Sequence, residues 1–286
     1  MKYEAEHVRE CFKNLIQDEN YYYLYKHIAI DPDMLVFGIF TKTQLKYNFP
    51  SFFNDPFDCL FDITIDSEKF TKNEFENITM KKISDQDWKK VSKSALNKIN
   101  DKTIVRKLIS KLRTEMLSVT CFNANPLSIL MWSHYANNHK GMLLEFKIPK
   151  IDSKMFPIPV LYDDEYPTIN IPWYKLANPT NETELIHEIT RETIFRKSTE
   201  WEYEKEFRLI GNKATNANNP LLQPYPPEYL SSVIMGANLN DENITKQLNE
   251  EIKKFNSKNN LSINIYKAQL KKGHYLLEVP NHPRLS

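Results

Sequence analysis

The stretch Trp201-Glu-Tyr-Glu-Lys-Glu-Phe-Arg-Leu209 predicts a strand with charged groups on one face and apolar groups on the other. Period-2 alternation places three carboxylates and one guanidinium on the same face: Glu202, Glu204, Glu206 and Arg208. Neighbouring carboxylates raise each other's pKa unless a cation intervenes. Arg208 or a cationic ligand can supply that positive charge. A solvated strand face with a local ion pair is the alternative interpretation.

Outward from this strand, the chain alternates strands and helices without a regular βαβ repeat, which is typical of an α+β domain. Residues 1–20 have the apolar spacing of an amphipathic helix, and Tyr21–Ile30 is aromatic and β-branched like a core strand. A Lys-rich segment at about 68–115 predicts a helical insertion. Residues 117–279 contain the main part of the sheet core, so we expect one α+β domain over residues 1–286.

The composition disfavours several classes of function. With 38 Lys and Arg against 37 Asp and Glu, no overall field attracts nucleic acid or acidic lipid. Three widely spaced cysteines, Cys11, Cys59 and Cys121, argue against a disulfide framework or zinc ribbon and fit a reducing cytoplasm. No signal-peptide pattern and no long apolar run is present, so we expect a cytoplasmic protein without a membrane span. With five glycines and no Gly-rich phosphate loop, Rossmann and P-loop binding are disfavoured.

The segment Leu127–Ala136, which contains Leu130-Met-Trp-Ser-His-Tyr-Ala136, predicts a helix that follows a short strand. Met131, His134 and Tyr135 lie at i, i+3 and i+4 and share one side of that helix. A packed core face is the alternative interpretation. His134 and His139 are five residues apart, the wrong step for two ligands on one helical face, and no H-E-x-x-H is present. We therefore expect no metal site.

Two further stretches are candidates for ligand contacts. In Tyr23-Leu-Tyr-Lys-His27, alternation places Tyr25 and His27 on one face and Lys26 on the other. A histidine at a strand end can donate a hydrogen bond to a ligand hydroxyl, although an isolated histidine is more often structural. The loop Asn54-Asp-Pro-Phe-Asp58 combines turn-forming residues with aromatic anchors. It is either a rigid turn or a ligand contact.

Together these stretches resemble the bacterial family known as domain of unknown function 2971. The resemblance runs from about residue 23 to about residue 236 and rests on Asn54-Asp-Pro-Phe-Asp58, Cys121-Phe-Asn, Leu130–Ala136, His139-Lys-Gly141 with Glu145-Phe146, and Trp201-x-Tyr-Glu-x-Glu-x-Arg208. That family implies no reaction by itself. Its motif order is similar to that of the ADP-ribosyltransferase superfamily. There a first strand orients NAD, a later strand leads into a helix with Ser and Tyr, and a late strand carries a catalytic Glu.

The similarity to ADP-ribosyltransferases implies a split mixed β-sheet core flanked by helices, with NAD as co-substrate. It implies Glu206 as the catalytic carboxylate, paired with Glu204. A carboxylate beside the ribose would stabilise the positive charge that develops as the nicotinamide–ribose bond breaks. His27 or Lys26 would hold the ribose, and Tyr135 would stack on nicotinamide. The full set of NAD-binding candidates is Tyr25, Lys26, His27, Asn54, Asp55, Ser133, His134, Tyr135 and Arg208.

The sequence therefore favours an NAD-dependent ADP-ribosyltransferase or NAD glycohydrolase that acts as a bacterial toxin or anti-phage effector. Its acceptor would be a nucleic acid or a protein. A non-catalytic domain that senses a nucleotide or a partner is the first alternative. A metal-dependent nuclease built on Asp55, Asp58 and the glutamates is the second, although the Glu-x-Lys spacing of such enzymes is absent.

Overall fold

A computed structural model of the chain describes residues 2–31, 35–65, 70–99, 102–171, 189–190, 192–211 and 221–286. The strands are β1 (Tyr21–Ile28), β2 (Gln44–Tyr47), β3 (Asp62–Ile65), β4 (Val119–Asn123), β5 (Met142–Pro149), β6 (Ile158–Pro159), β7 (Leu161–Asp163), β8 (Thr168–Ile171), β9 (Arg196–Ser198), β10 (Glu206–Ile210), β11 (Leu221–Pro224), β12 (Leu230–Met235), β13 (Asn264–Lys267), β14 (Gln269–Leu270) and β15 (Leu277–Glu278). The helices are α1 (Lys2–Lys13), α2 (Gly38–Thr41), α3 (Lys72–Thr79), α4 (Asp85–Ile99), α5 (Lys102–Lys111), α6 (Ile129–Tyr135) and α7 (Glu242–Asn259).

The predicted α+β class is confirmed by a mixed seven-stranded sheet with helices around it. The strand order is β13-β12-β5-β1-β4-β10-β6, and the pair β12 and β13 is parallel. Helices α3, α4 and α5 lie within the segment predicted as a helical insertion, of which residues 68–69 and 100–101 lie outside the described chain.

The sheet is nearly divided between β1 and β4. β1 pairs with β5 along its whole length, from Tyr21 opposite Pro149 to Ile28 opposite Met142. Both β1 and β4 are described in full, and they pair with each other at one position, where Tyr25 lies opposite Asn123. The remaining backbone of β4 pairs with β10 on its other edge. A gap therefore opens in the sheet beside the second half of β1.

Apolar side chains cover both faces of the sheet. Because successive side chains of β1 point to opposite faces, Leu24 and Tyr25 belong to two different core clusters. One cluster joins the sheet to α7 and includes Leu24, Phe122, Leu144, Phe146, Phe207, Leu248, Ile252 and Phe255. The other joins it to α6 and the C-terminal segment and includes Tyr25, Trp132, Ala136, Leu143, Ile234, Leu277, Val279 and Leu285. Burying each large side chain contributes about 1.5–3 kcal/mol.

The predicted N-terminal helix is shorter than residues 1–20. α1 ends at Lys13, because the chain must turn to enter β1. Asp18 makes that turn with its side chain, which accepts the backbone N–H groups of Asn20 and Tyr21 at 2.9 and 2.8 Å. Such an Asx turn offers the backbone an alternative to further helix.

The predicted strand through residues 201–209 is wrong in its first half. Thr199–Glu204 forms a 3₁₀ helix capped by the Ser198 side chain, and the strand β10 begins at Glu206. Lys205, between them, has a left-handed backbone with φ of 46°. Period-2 alternation therefore applies to Glu206 and Arg208 but not to Glu202, which is exposed.

None of the helices in the described part of the chain combines the length and the apolar character that crossing a bilayer requires.

The C-terminal segment is held to the sheet by Glu145, which is wholly buried on β5. Arg284 donates to both of its carboxylate oxygens, at 2.8 and 2.7 Å. Tyr25 and Ser232 donate further hydrogen bonds, and the His282 ring lies 3.5 Å away. Burial raises the pKa of Glu145, but the bonds from Arg284 and His282 outweigh it and lower the pKa to about 2.

We expect Arg284→Ala to lower the free energy of unfolding by about 3 kcal/mol at neutral pH, because it leaves a buried carboxylate without its cation. Urea denaturation measures this change. Since the folded pKa of Glu145 lies below its ordinary value of 4.5, the contribution is complete above that value and disappears as the pH falls towards 2. Arg9→Ala on exposed α1 is the control, and an equal loss in both variants would contradict the role given to Glu145.

Candidate functional site

A cleft of about 810 Å³ lies at the gap between β1 and β4. Its lining includes Lys26–Ala29 of β1 and Val119–Asn123 of β4. Side chains of α6, of β2 and of the loop Phe52–Asp58 complete it, together with Glu204 at the end of the 3₁₀ helix and Glu206 at the start of β10. Charged groups of both signs converge in this cleft, so it is the candidate functional site.

The orientation of Asn123 determines where His27 carries its proton. Asn123 Oδ1 accepts the backbone N–H of Asn125 at 3.1 Å, and Nδ2 donates to the carbonyl oxygen of Tyr25 at 3.0 Å. Turning the amide over would break both bonds, so its orientation is fixed. Nδ2 also lies 3.0 Å from His27 Nδ1, which must therefore accept. The neutral ring consequently carries its proton on Nε2.

The Nε2–H group of His27 is available to a ligand. Burial lowers the pKa of His27 to about 3, an effect that the Pro126 carbonyl offsets only in part. Trp132 packs edge-on against the ring with centroids 5.1 Å apart. Among the described residues, Nε2 has no hydrogen-bond partner. His27 thus holds a neutral, buried donor among the residues that line the cleft.

Arg208 is wholly buried and uses all five of its N–H donors. It binds Asp58 through two bonds of 2.8 and 2.7 Å and Glu206 through two bonds of 2.8 and 3.0 Å. The fifth donor bonds the carbonyl oxygen of Ile194 at 2.6 Å. Bidentate pairing on both sides fixes the two carboxylates in position. Arg208 therefore ties the loop at Asp58 to the edge of β10.

Lys197 is a second cation in this cluster. Its Nζ lies 2.6 Å from Glu204, 3.2 Å from Glu206 and 3.9 Å from Asp58. Tyr135, at the end of α6, donates its hydroxyl to Glu204 at 2.5 Å. Glu204 is thus held from two sides, by an ammonium group and by a phenol.

The environment separates the pKa values of the two glutamates. Burial raises the pKa of both, but Arg208 and Lys197 together hold the pKa of Glu206 well below its ordinary range. The pKa of Glu204 is raised, since burial and the charge of Glu206 outweigh Lys197 and Tyr135. Burial lowers the pKa of Lys197, but the charges of Glu206 and Glu204 raise it by more. The pKa of Lys197 is therefore raised overall. Glu206 is accordingly ionised, and Glu204 is the better proton acceptor.

Two more buried polar atoms at the cleft lack partners among the described residues, namely Asp55 Oδ2 and Thr120 Oγ1. Asp55 uses its other oxygen to accept the backbone N–H of Phe57 at 2.8 Å. A buried polar group without a partner costs about 1–3 kcal/mol. Together with His27 Nε2, these atoms give the cleft a set of unfilled hydrogen-bonding positions, which is typical of a ligand site.

Most residues predicted for the site meet in the cleft. Its lining contains Lys26, His27, Asn54, Asp55, His134, Tyr135, Glu204 and Glu206. Arg208 lies behind this surface, bound to Glu206. Tyr25 and Ser133 point elsewhere: the Tyr25 hydroxyl bonds Glu145, and the Ser133 hydroxyl bonds the Ile129 carbonyl oxygen.

Asn123, Thr120 and Lys197 belong to the site but are missing from the set predicted for ligand binding, as is Asp58, which was considered only for a metal. Asn123 is the last residue of β4, directly after Cys121-Phe122. Its amide at a strand end is a sequence signal for a partner of His27, to which it bonds. Thr120 has no motif that identifies it. Lys197 lies on β9, a short strand whose only sequence signal is its place shortly before the glutamates.

No group of three or more His, Cys, Asp or Glu side chains in the described ranges is arranged to hold a metal ion. Of the carboxylates in the nuclease hypothesis, those of Asp58, Glu204 and Glu206 are bound by Arg208 and Lys197 instead.

Residues 131–209 match the family of proteins of unknown function DUF2971. The predicted resemblance to that family is thus confirmed over the segment from α6 to β10, which contains Tyr135, Lys197, Glu204, Glu206 and Arg208. Neither the curated proteins nor the solved structures contain a significant match to the chain. Function must therefore be inferred from the geometry of the cleft.

We expect the His27 ring to stay neutral, with its proton on Nε2, between pH 5 and pH 8. The physical reason is that burial disfavours the charged ring while Asn123 donates to Nδ1. Two-bond ¹H–¹⁵N NMR correlations identify the tautomer directly. Asn123→Leu removes the donor and should make the tautomer signals change, while a charged ring at pH 6 in the unaltered protein would contradict this assignment.

Proposed function

We propose that the cleft binds NAD and that the protein cleaves the nicotinamide–ribose bond, as an ADP-ribosyltransferase or NAD glycohydrolase. The observation that carries the proposal is the register of three adjacent strands. Tyr25 of β1 is opposite Asn123 of β4, and Asn123 is opposite Glu206 of β10. His27, Asn123 and Glu206 therefore share one face of the sheet beside the cleft.

This register supports the similarity to ADP-ribosyltransferases. The first strand with its histidine, the strand that leads into the Ser–Tyr helix, and the late strand with its glutamate are neighbours in the order β1-β4-β10. The near-division of the sheet between β1 and β4 also agrees with a split sheet. The three motifs are distant in sequence but adjacent in the fold, as a shared substrate would require.

The free polar atoms of the cleft suit a nucleotide sugar. His27 Nε2–H and the Thr120 hydroxyl can donate to ribose oxygens, and Asp55 Oδ2 can accept a ribose hydroxyl. The cationic nicotinamide ring suits the acidic side of the cleft, where four carboxylates, Asp55, Asp58, Glu204 and Glu206, meet two cations. An excess of negative charge favours a positively charged ring.

The separated pKa values allow the two glutamates different roles. An ionised Glu206 would stabilise the positive charge that develops on the ribose. Glu204, whose pKa is raised, would accept the proton of the attacking hydroxyl or water as a general base. Tyr135 and Lys197 would hold Glu204 in place for that transfer. In this cluster Lys197 is a positioning residue.

The second candidate is a domain that binds a nucleotide without turnover, within a toxin or anti-phage system. One observation favours it: both oxygens of Glu206 are already bonded by Arg208, an arrangement that a purely structural carboxylate would also show. Substrate turnover decides between the two candidates.

Incubation with NAD labelled in both halves should release nicotinamide, either into water alone or when bacterial RNA, DNA or protein is added as acceptor. We expect Glu206→Gln and Glu204→Gln each to lower the rate by about 100-fold or more, since each removes a charge used in the transition state. Separation by chromatography measures free nicotinamide and labelled acceptor in the same sample.

Glu202→Gln is the matched control, because Glu202 is exposed two residues away and should retain full activity. Far-UV circular dichroism shows whether each variant folds. Glu204→Gln keeps Arg208 paired, so it remains informative if Glu206→Gln fails to fold. Absence of nicotinamide release by the unaltered protein with every acceptor class would refute turnover, and NAD binding in the same samples would then favour the second candidate.

A further inference from the structure

One side of the cleft carries lysines that the proposed chemistry does not use. Lys42, Gln44, Lys46 and Asn48 all line the cleft. They occupy alternate positions along and beside β2, while Leu45, Tyr47 and Phe49 between them are buried in the core. Period-2 alternation turns Gln44, Lys46 and Asn48 towards the cleft, and Lys42 reaches the same cleft from the end of α2. We call these four residues the β2 row.

The lysines of the β2 row have no acidic partner among the described residues. Lys42 and Lys46 are exposed at the cleft and take part in none of the ion pairs of the described chain. Lys26 of β1 faces the same cleft and donates to the carbonyl oxygen of Cys121 at 2.9 Å, a neutral partner. Asp31 also lines the cleft, where its carboxylate accepts the backbone N–H of Val36.

Placing like charges together is unfavourable unless an anion compensates them. Burial lowers the pKa of Lys26, the charges of Cys121 and Glu206 raise it in part, and the charge of Lys46 lowers it again. Glu206 favours the charged form of Lys26, but Lys42 and Lys46 have no ion-pair partner among the described residues, and Asp58, Glu204 and Glu206 are bound by Arg208 and Lys197. Lys42 and Lys46 therefore present two ammonium groups to the cleft beside Lys26, without a carboxylate partner of their own in the described part of the chain.

We propose that Lys42 and Lys46 of the β2 row, with Lys26, bind the phosphate groups of the nucleotide whose sugar is held at His27. This inference rests on the proposed function for the identity of the nucleotide, and it assigns the diphosphate to these three lysines. Gln44 and Asn48 supply neutral donors between and beside the lysines. Ammonium groups are point-charge partners for phosphate and require no glycine-rich loop, which accounts for nucleotide binding in a chain with five glycines.

Calorimetric titration with ADP-ribose and with nicotinamide riboside separates phosphate recognition from sugar recognition. We expect Lys42→Gln and Lys46→Gln each to weaken ADP-ribose binding about tenfold, since each removes one charged contact with phosphate. Binding of nicotinamide riboside, which carries no phosphate, should not change. Lys272→Gln removes an exposed lysine outside the cleft and should leave both affinities unchanged.

Two results would overturn the assignment. One is unaltered ADP-ribose affinity in both lysine variants, and the other is an equal loss for ADP-ribose and nicotinamide riboside. Lysine-dependent binding of ADP-ribose by a protein that releases no nicotinamide would support the phosphate site while rejecting the proposed turnover. Nicotinamide release, combined with unchanged ADP-ribose affinity in Lys42→Gln and Lys46→Gln, would support the proposed turnover and reject the phosphate site. Failure of the unaltered protein to bind either ligand would reject both proposals.

Discussion

The buried guanidinium of Arg208 is the interaction on which the site depends. It joins Asp58, in a loop near the start of the chain, to Glu206 on β10, 148 residues later. Removing it would leave the buried Asp58 and Glu206 with Lys197 as their remaining cation among the described residues, and removing one partner of a buried pair costs about 3–5 kcal/mol. Domains have a total stability of about 5–15 kcal/mol. The same five hydrogen bonds that hold the loop to the sheet therefore also fix the acidic side of the cleft.

Arg208 also creates the difference between the two glutamates. Because it bonds both oxygens of Glu206, that carboxylate is ionised even though it is buried. Glu204 receives no bond from Arg208 and shares Lys197 with its neighbour. One cation placed asymmetrically between two carboxylates is sufficient to separate their proton affinities. The same guanidinium therefore both ties the loop at Asp58 to β10 and separates the pKa values of the two glutamates.

The sequence was informative where a local rule decides the structure. The aromatic run of β1, the Ser128-capped α6 and the Glu206–Arg208 alternation of β10 all follow from spacing of two or of three to four residues. The 3₁₀ helix that carries Glu204 was missed, because its Ser198 cap and the left-handed Lys205 override strand propensity. Neither the pairing of Asp58 with Arg208, 150 residues apart, nor the convergence of Lys197 on the glutamates has a local signal. The β2 row shows period 2 in the sequence, but only the fold reveals what it faces.

The polar groups of the cleft are a consequence of the gap between β1 and β4. Where β1 and β4 are not paired, backbone groups lack ladder partners, and buried backbone groups must be bonded by other means. Two side chains supply those bonds: Lys26 donates to the Cys121 carbonyl oxygen, and Asn123 donates to that of Tyr25. In doing so, Lys26 places an ammonium group at the cleft, and Asn123 directs the proton of His27 to the nitrogen that remains free. Closing the sheet would satisfy the backbone and remove the cleft, so the incomplete ladder is what opens this space beside β1.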